Sequence, residues 1–70
     1  MSEVPATVRV RVKPARRGKK EIYEVWVEIP ERWERLGTFQ TRERALQVAR
    51  REVGYWENLG HPAVCEGVVQ

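Results

Sequence analysis

Two stretches near the start of the chain alternate between apolar and charged residues. From Thr7 to Lys13 three valines are separated by basic residues, and from Glu21 to Ile29 every second residue is again apolar. A period of two is typical of a strand with one buried face. We therefore predict two antiparallel strands. Pro14 and Gly18 favour a hairpin loop over residues 14–20 between them.

A third strand and a helix follow. The sequence predicts a strand from Arg32 to Phe39, joined to the second strand by the short Pro30-Glu31 corner. The apolar spacing then changes to 3.6 residues, and Thr41 is a favourable helix N-cap. We predict a helix from Arg42 to Asn58, followed by a helix-ending Gly60-His61-Pro62 segment.

The residues after Pro62 are short, β-branched and typical of a fourth strand, from Ala63 to Val69. The predicted fold class is α+β, with the order β-β-β-α-β. An antiparallel sheet of three to four strands packs one face on the helix and leaves the other face open. Seventy residues suffice for a single domain, residues 1–70, in which residues 1–6 are expected to be a disordered tail.

The composition disfavours catalysis and metal binding. The chain has no Asp, one Ser, one His and one Cys, so His61 and Cys65 lack partners for a catalytic triad or a zinc site. We expect no enzyme activity, no cofactor, no metal and no small-molecule substrate. Apolar runs are too short for a membrane helix and the N-terminus does not resemble a signal peptide, so a cytoplasmic, non-membrane protein is expected.

Positive charge is concentrated at one end of the chain. Residues 4–20 contain seven Lys or Arg and no acid, whereas the remaining residues contain all ten Glu and six Arg. A local basic cluster is typical of a surface that binds a polyanion, because phosphate affinity grows with the number of neutralising cations. The alternative is a solvated turn whose charges confer only solubility.

The open face of the predicted sheet combines basic residues, glutamates and an exposed Trp. In one interpretation Glu24 and Glu28 form cross-strand pairs with the arginines. In the other, the face and the hairpin bind nucleic acid through phosphate contacts and base stacking. The candidate nucleic-acid-binding residues are Arg9, Arg11, Lys13, Arg16, Arg17, Lys19, Lys20, Trp26 and Arg35.

The segment from Trp33 to Ala45 contains Leu-Gly-Thr-Phe, then Thr41, and then Glu43 and Ala45 in the first helical turn. It is similar to the third strand and helix entry of the plant ethylene-response-factor (Apetala-type) DNA-binding domain. The arm-binding domains of phage integrases share the same arrangement of three strands followed by a helix. The resemblance covers residues 7–57 and implies a sheet laid in the DNA major groove, with Arg9 and Arg11 among the contacts. Pro30 stands where that family has Arg.

A second function class remains open. The order β-β-β-α-β also resembles a family of bacterial antitoxins, and the segment from the third strand to the fourth resembles half of a sporulation-related peptidoglycan-binding repeat. The apolar stripe of the helix is wider than one sheet covers, which favours a homodimer through Val48, Tyr55 or the last strand. The alternative to a DNA-binding module is therefore a non-catalytic protein-interaction or homodimerising module.

Overall fold

A computed structural model of the chain describes residues 7–29 and 32–69. It contains, in chain order, β1 (Val8–Arg17), β2 (Lys20–Ile29), β3 (Arg32–Phe39), α1 (Arg42–Asn58) and β4 (Ala63–Val68). This order confirms the predicted α+β class and the β-β-β-α-β plan. The tail expected at residues 1–6 and the Pro30-Glu31 corner lie outside the described residues.

The four strands form one sheet in the order β3-β2-β1-β4. β1 pairs antiparallel with β2, and β2 pairs antiparallel with β3, but β4 pairs parallel with β1. The prediction of a wholly antiparallel sheet is therefore wrong, and the sheet is mixed. The reason is the helix: α1 carries the chain back along the sheet, so β4 runs in the same direction as β3, and a parallel pairing with β1 follows.

The hairpin between β1 and β2 is tighter than predicted. Both strands continue through the expected loop until Arg17 pairs with Lys20, which leaves a two-residue turn of Gly18 and Lys19. Gly18 has a φ of 64°, and no described non-glycine residue has a positive φ. Positive φ at the first turn residue alone is the pattern of a type II′ turn, whose twist matches that of the flanking strands.

Pro14 is compatible with β1 because of where β4 ends. The amide of Val8 donates to Pro62 and the carbonyl of Val12 accepts from Val69, so the even-numbered groups of β1 point toward β4. The last β1–β4 pair joins Val12 to Val68. The nitrogen of Pro14 therefore points past the end of β4, where no ladder hydrogen bond is lost.

The core lies between α1 and one face of the sheet. Its buried side chains are five valines from β1 and β2 that are at most 2% exposed, together with Ala45 and Ala49 of α1. The two alanines allow the helix axis to approach the sheet closely. Each fully buried valine contributes about 1.5 kcal/mol of hydrophobic stabilisation. The alternation read from the sequence thus places the basic residues of β1 on the opposite face.

Both ends of α1 are capped as predicted. The Thr41 hydroxyl accepts a hydrogen bond from the Arg44 amide at 3.2 Å. At the other end Gly60 has a φ of 88°, its amide donates to the Glu57 carbonyl, and the His61 amide donates to the Trp56 carbonyl. This is the Schellman pattern. At 17 residues, with charges along its length, α1 falls short of what crossing a bilayer would require.

Candidate nucleic-acid interface

The face of the sheet away from α1, here called the open face, presents residues in cross-strand rows. One row contains Arg11 of β1, Trp26 of β2 and Arg35 of β3. A second row contains Arg9 and Glu28, next to which lies Trp33. Because alternate residues of a strand share a face, all of these side chains lie on one surface. The structure thus places Trp33 on the open face.

Arg9 and Arg11 are engaged by carboxylates. Arg9 Nη2 lies 2.9 Å from Glu66 Oε2, and Arg9 Nη1 lies 3.4 Å from Glu28 Oε2. Arg11 reaches the other oxygen of Glu66 with Nε at 2.8 Å and Nη2 at 2.7 Å. Hydrogen bonding to Arg9, supported by Arg11, lowers the pKa of Glu66 despite partial desolvation, and the same contact raises the pKa of Arg9.

A second ionic group lies across β2 and β3. Arg35 Nη1 donates to Glu24 Oε2 at 3.1 Å, and the Trp26 indole donates to Glu24 Oε1 at 3.3 Å. Both carboxylate oxygens of Glu24 are therefore occupied. Arg35 remains more than half exposed, with 54% of its side chain accessible. The predicted contact residues Trp26 and Arg35 are thus brought together, but around a negative charge.

The two tryptophans of the open face are in contact with cations of the same chain. The Arg11 guanidinium carbon lies 4.0 Å from the centroid of the Trp33 ring. Lys13 Nζ lies 5.5 Å from the Trp26 ring and 5.7 Å from the Trp33 ring. These are cation–π distances. Trp26 is therefore half-buried, not exposed as predicted, because Glu24 and Lys13 lie against it, and Trp33 is half-buried as well. This reduces the ring surface available for base stacking.

The hairpin extends beyond both neighbouring strands. β4 pairs with β1 only as far as Val12, and β3 pairs with β2 only from Tyr23 onward. Residues 14–22, here called the basic arm, therefore form a two-stranded ribbon without lateral neighbours in the sheet. The four remaining candidate residues lie on this arm, and all of them are exposed: Arg16, Arg17, Lys19 and Lys20.

The cations of the basic arm differ from those of the open face in their pairing. Among residues 7–29 and 32–69, the ion pairs involve Arg9, Arg11 and Arg35, and none involves a residue of the basic arm. Glu21 is the cross-strand neighbour of Arg16 but is also exposed and unpaired within these ranges. The basic arm therefore combines four exposed cations without ion pairs in these ranges with one acid, Glu21.

Sequence reasoning missed Glu66, the residue that contacts both arginines. Its position depends on a pairing between β4 and β1, more than fifty residues apart in the chain. The alternation of β4 predicts that Glu66 lies on the face of the sheet away from Cys65, which packs against the core. This alternation is the signal in the sequence that could have placed Glu66 on the open face. No local pattern in the sequence indicates that β4 pairs with β1.

His61 and Cys65 have structural surroundings. The imidazole of His61 packs edge-on against the Trp56 ring, with centroids 5.6 Å apart. Cys65 is half-buried and packs against the core. Within the described part of the chain, no three His, Cys, Asp or Glu side chains are clustered so as to hold a metal ion.

Comparison with known proteins finds no match to a family model, to a curated protein or to a solved structure.

Proposed function

We propose that this chain is a nucleic-acid-binding module, with DNA as its target and the basic arm as its principal contact. The observation that carries the proposal is the contrast in charge pairing. Arg16, Arg17, Lys19 and Lys20 are exposed on a projecting ribbon without ion-pair partners in the described ranges, while Arg9, Arg11 and Arg35 are paired. Unpaired cations can displace the counterions of a phosphate backbone without first losing an internal partner.

The dimensions of the basic arm support DNA as the target. A two-stranded ribbon fits the ~12 Å width of the B-DNA major groove. β1 continues for four residues beyond Lys13, from Pro14 to Arg17. At ~3.3 Å per residue this projection is about 13 Å, enough to pass between two phosphate backbones. Phosphate contacts of this kind fix position and carry no sequence information.

The open face is the second part of the proposed surface. Lys13 immediately precedes the basic arm and lies beside Trp26 and Trp33. By strand alternation Arg17 and its partner Lys20 share this face, whereas Arg16 lies on the helix side beside Glu21, so the open face continues onto the arm through Arg17 and Lys20. Glu24, Glu28 and Glu66 are interleaved with the arginines of this face. Their charges offset much of the attraction for phosphate, so the open face contributes less to affinity than the basic arm.

A salt titration of the wild-type protein tests the proposal. Binding to a fluorescein-labelled 20-base-pair duplex is measured by anisotropy over a range of potassium chloride concentrations. Four phosphate contacts predict a slope of about −3.6 in the logarithm of the association constant against the logarithm of salt. A slope near zero, or no binding at low salt, would refute the proposal.

One observation favours the alternative of a protein-interaction or homodimerising module. Tyr55 and Leu59 are one helical turn apart at the end of α1, and each is 55% exposed. Adjacent exposed apolar residues are typical of a contact surface. Sedimentation equilibrium of the wild type and of Leu59→Glu distinguishes this function. A dimer that Leu59→Glu dissociates, together with no DNA binding by the wild type, would favour it.

A further inference from the structure

The carboxylate of Glu66 lies between two guanidinium groups on the open face. One of its oxygens is held by Arg9 at 2.9 Å, and the other is held by two nitrogens of Arg11 at 2.7 and 2.8 Å. Two arginines thus converge on two oxygens of one anionic group. Charge-assisted contacts of this length and multiplicity are strong and geometrically selective.

Strand alternation places Glu66 on the open face, because Cys65 before it faces the core, and an irregularity in β4 follows directly after it. The pairing with β1 shifts by one residue between Cys65 and Val68, and Gly67 has a φ of 76°. Cys65 and Val68 both pack against the core, although strict alternation over three residues would place them on opposite faces. The bulge at Gly67 therefore returns Val68 to the core while Glu66 stays on the open face. Bulges are a common means of directing one side chain.

The same pair of arginines matches another oxyanion. A phosphate diester presents two non-bridging oxygens with one negative charge, and guanidinium groups bind this arrangement as they bind a carboxylate. Arg9 is the more accessible of the two arginines, with 46% of its side chain exposed against 18% for Arg11. Arg11 follows Arg9 on the same face and is held by the Trp33 ring. Glu66 thus occupies the place that a phosphate would take.

We infer that Glu66 is an internal substitute for phosphate, which holds Arg9 and Arg11 in the free protein and is displaced by a backbone phosphate of the bound nucleic acid. The inference rests on the proposed function and deepens it. Glu66 is a competitor in this exchange, so it weakens binding while keeping the two guanidinium groups aligned. It also raises the selectivity of the open face for ligands whose phosphates fit both arginines.

The consequence is a gain in affinity when the competitor is removed. Replacing Glu66 with Gln raises the charge of the Arg9–Arg11–Glu66 cluster by one while keeping an oxygen acceptor. One additional effective cation steepens the salt slope by about 0.9. Binding should therefore be about eightfold tighter at 0.1 M salt, with the two curves meeting near 1 M.

The test compares the wild type, Glu66→Gln and Glu57→Gln with the labelled duplex. Glu57 is exposed on α1, away from the open face, and its removal changes the net charge by the same amount. The expected result is tighter, more salt-dependent binding by Glu66→Gln alone. If Glu66→Gln and Glu57→Gln have the same affinity, the inference is wrong although the proposed function stands. If the wild type and both variants fail to bind, the proposed function is wrong as well.

A measurement on the wild type avoids dependence on the folding of the variant. The Arg11 Nε–H group donates to Glu66 at 2.8 Å, so its nitrogen–proton NMR signal reports on this contact. Addition of duplex should shift this signal more than the corresponding signals of the exposed Arg50 and Arg51 on α1. An Arg11 signal that does not move while binding occurs would overturn the inference.

Discussion

The guanidinium of Arg11 lies 4.0 Å from the ring of Trp33, although the two residues belong to strands separated by β2. The Trp33 side chain therefore extends across β2 to reach β1. On the open face this contact connects β1 with β3, the two strands on either side of β2. It also keeps the Arg11 fork pointed at Glu66.

A double-mutant cycle measures this contact. We expect Trp33→Leu and Arg11→Met to show a coupling of about 0.5–1 kcal/mol in the free energy of unfolding, the usual size of a partly exposed cation–π pair. Urea denaturation of the wild type, both single variants and the double variant supplies the four values. If the effects of the two single substitutions add, the contact between Arg11 and Trp33 contributes nothing to stability.

Gly67 should be intolerant of substitution, because its positive φ is required for the bulge in β4. Gly67→Ala is expected to cost about 1–2 kcal/mol of stability. Gly54→Ala is the matched control: Gly54 lies within α1, and nothing lies within 4 Å of an added Cβ. That change should stabilise the protein by about 0.5–1 kcal/mol. Thermal denaturation compares the two, and equal effects would contradict the role of the bulge.

Acid should remove the stabilisation that Glu66 provides. Its pKa is lowered in the folded protein, chiefly by the hydrogen bond with Arg9, relative to an ordinary value of 4.5. A lowered carboxyl pKa stabilises the folded state above the unfolded pKa, and this contribution is lost as the pH falls through the folded pKa. The stability difference between the wild type and Glu66→Gln should therefore shrink from pH ~5 toward pH ~3.

The control for this prediction is the same comparison in an Arg9→Gln background. Glu66 lacks its principal partner in this background. The effect of Glu66→Gln on the free energy of unfolding should therefore depend less on pH. Urea unfolding at several pH values supplies the free energy of unfolding of all four proteins. A difference that is constant with pH in the native background would mean that the ion pairs with Glu66 are not maintained in solution.

Much of the fold follows from local patterns in the sequence. The bounds of α1 agree with the prediction, because Thr41 caps its first turn and Gly60 ends it through a left-handed residue. The faces of β1 and β2 also agree, because alternation alone decides which side of a strand is buried. Arg9, Arg11 and Lys13 lie on the open face for this reason.

Other features depend on contacts that no local pattern encodes. Pro14 normally disfavours a strand, and it is accommodated in β1 only because β4 ends before reaching it. The direction of β4 follows from the path of α1 over the sheet. The neutralisation of Arg9 and Arg11 depends on Glu66, which the same parallel pairing brings to them. Alternation therefore predicts the face on which Arg9 and Arg11 lie, but it does not predict the carboxylate that pairs with them.

If the basic arm is the principal contact with nucleic acid, removing two of its cations should weaken binding more than removing two cations elsewhere, which two charge-matched variants compare. Arg16→Gln/Arg17→Gln removes two cations from the basic arm, and Arg50→Gln/Arg51→Gln removes two exposed cations from α1. We predict that the arm variant reduces the magnitude of the salt slope for duplex binding by about 1.8, while the α1 variant leaves it unchanged. Equal losses in both variants, or a loss confined to the α1 variant, would show that the basic arm is not the principal contact.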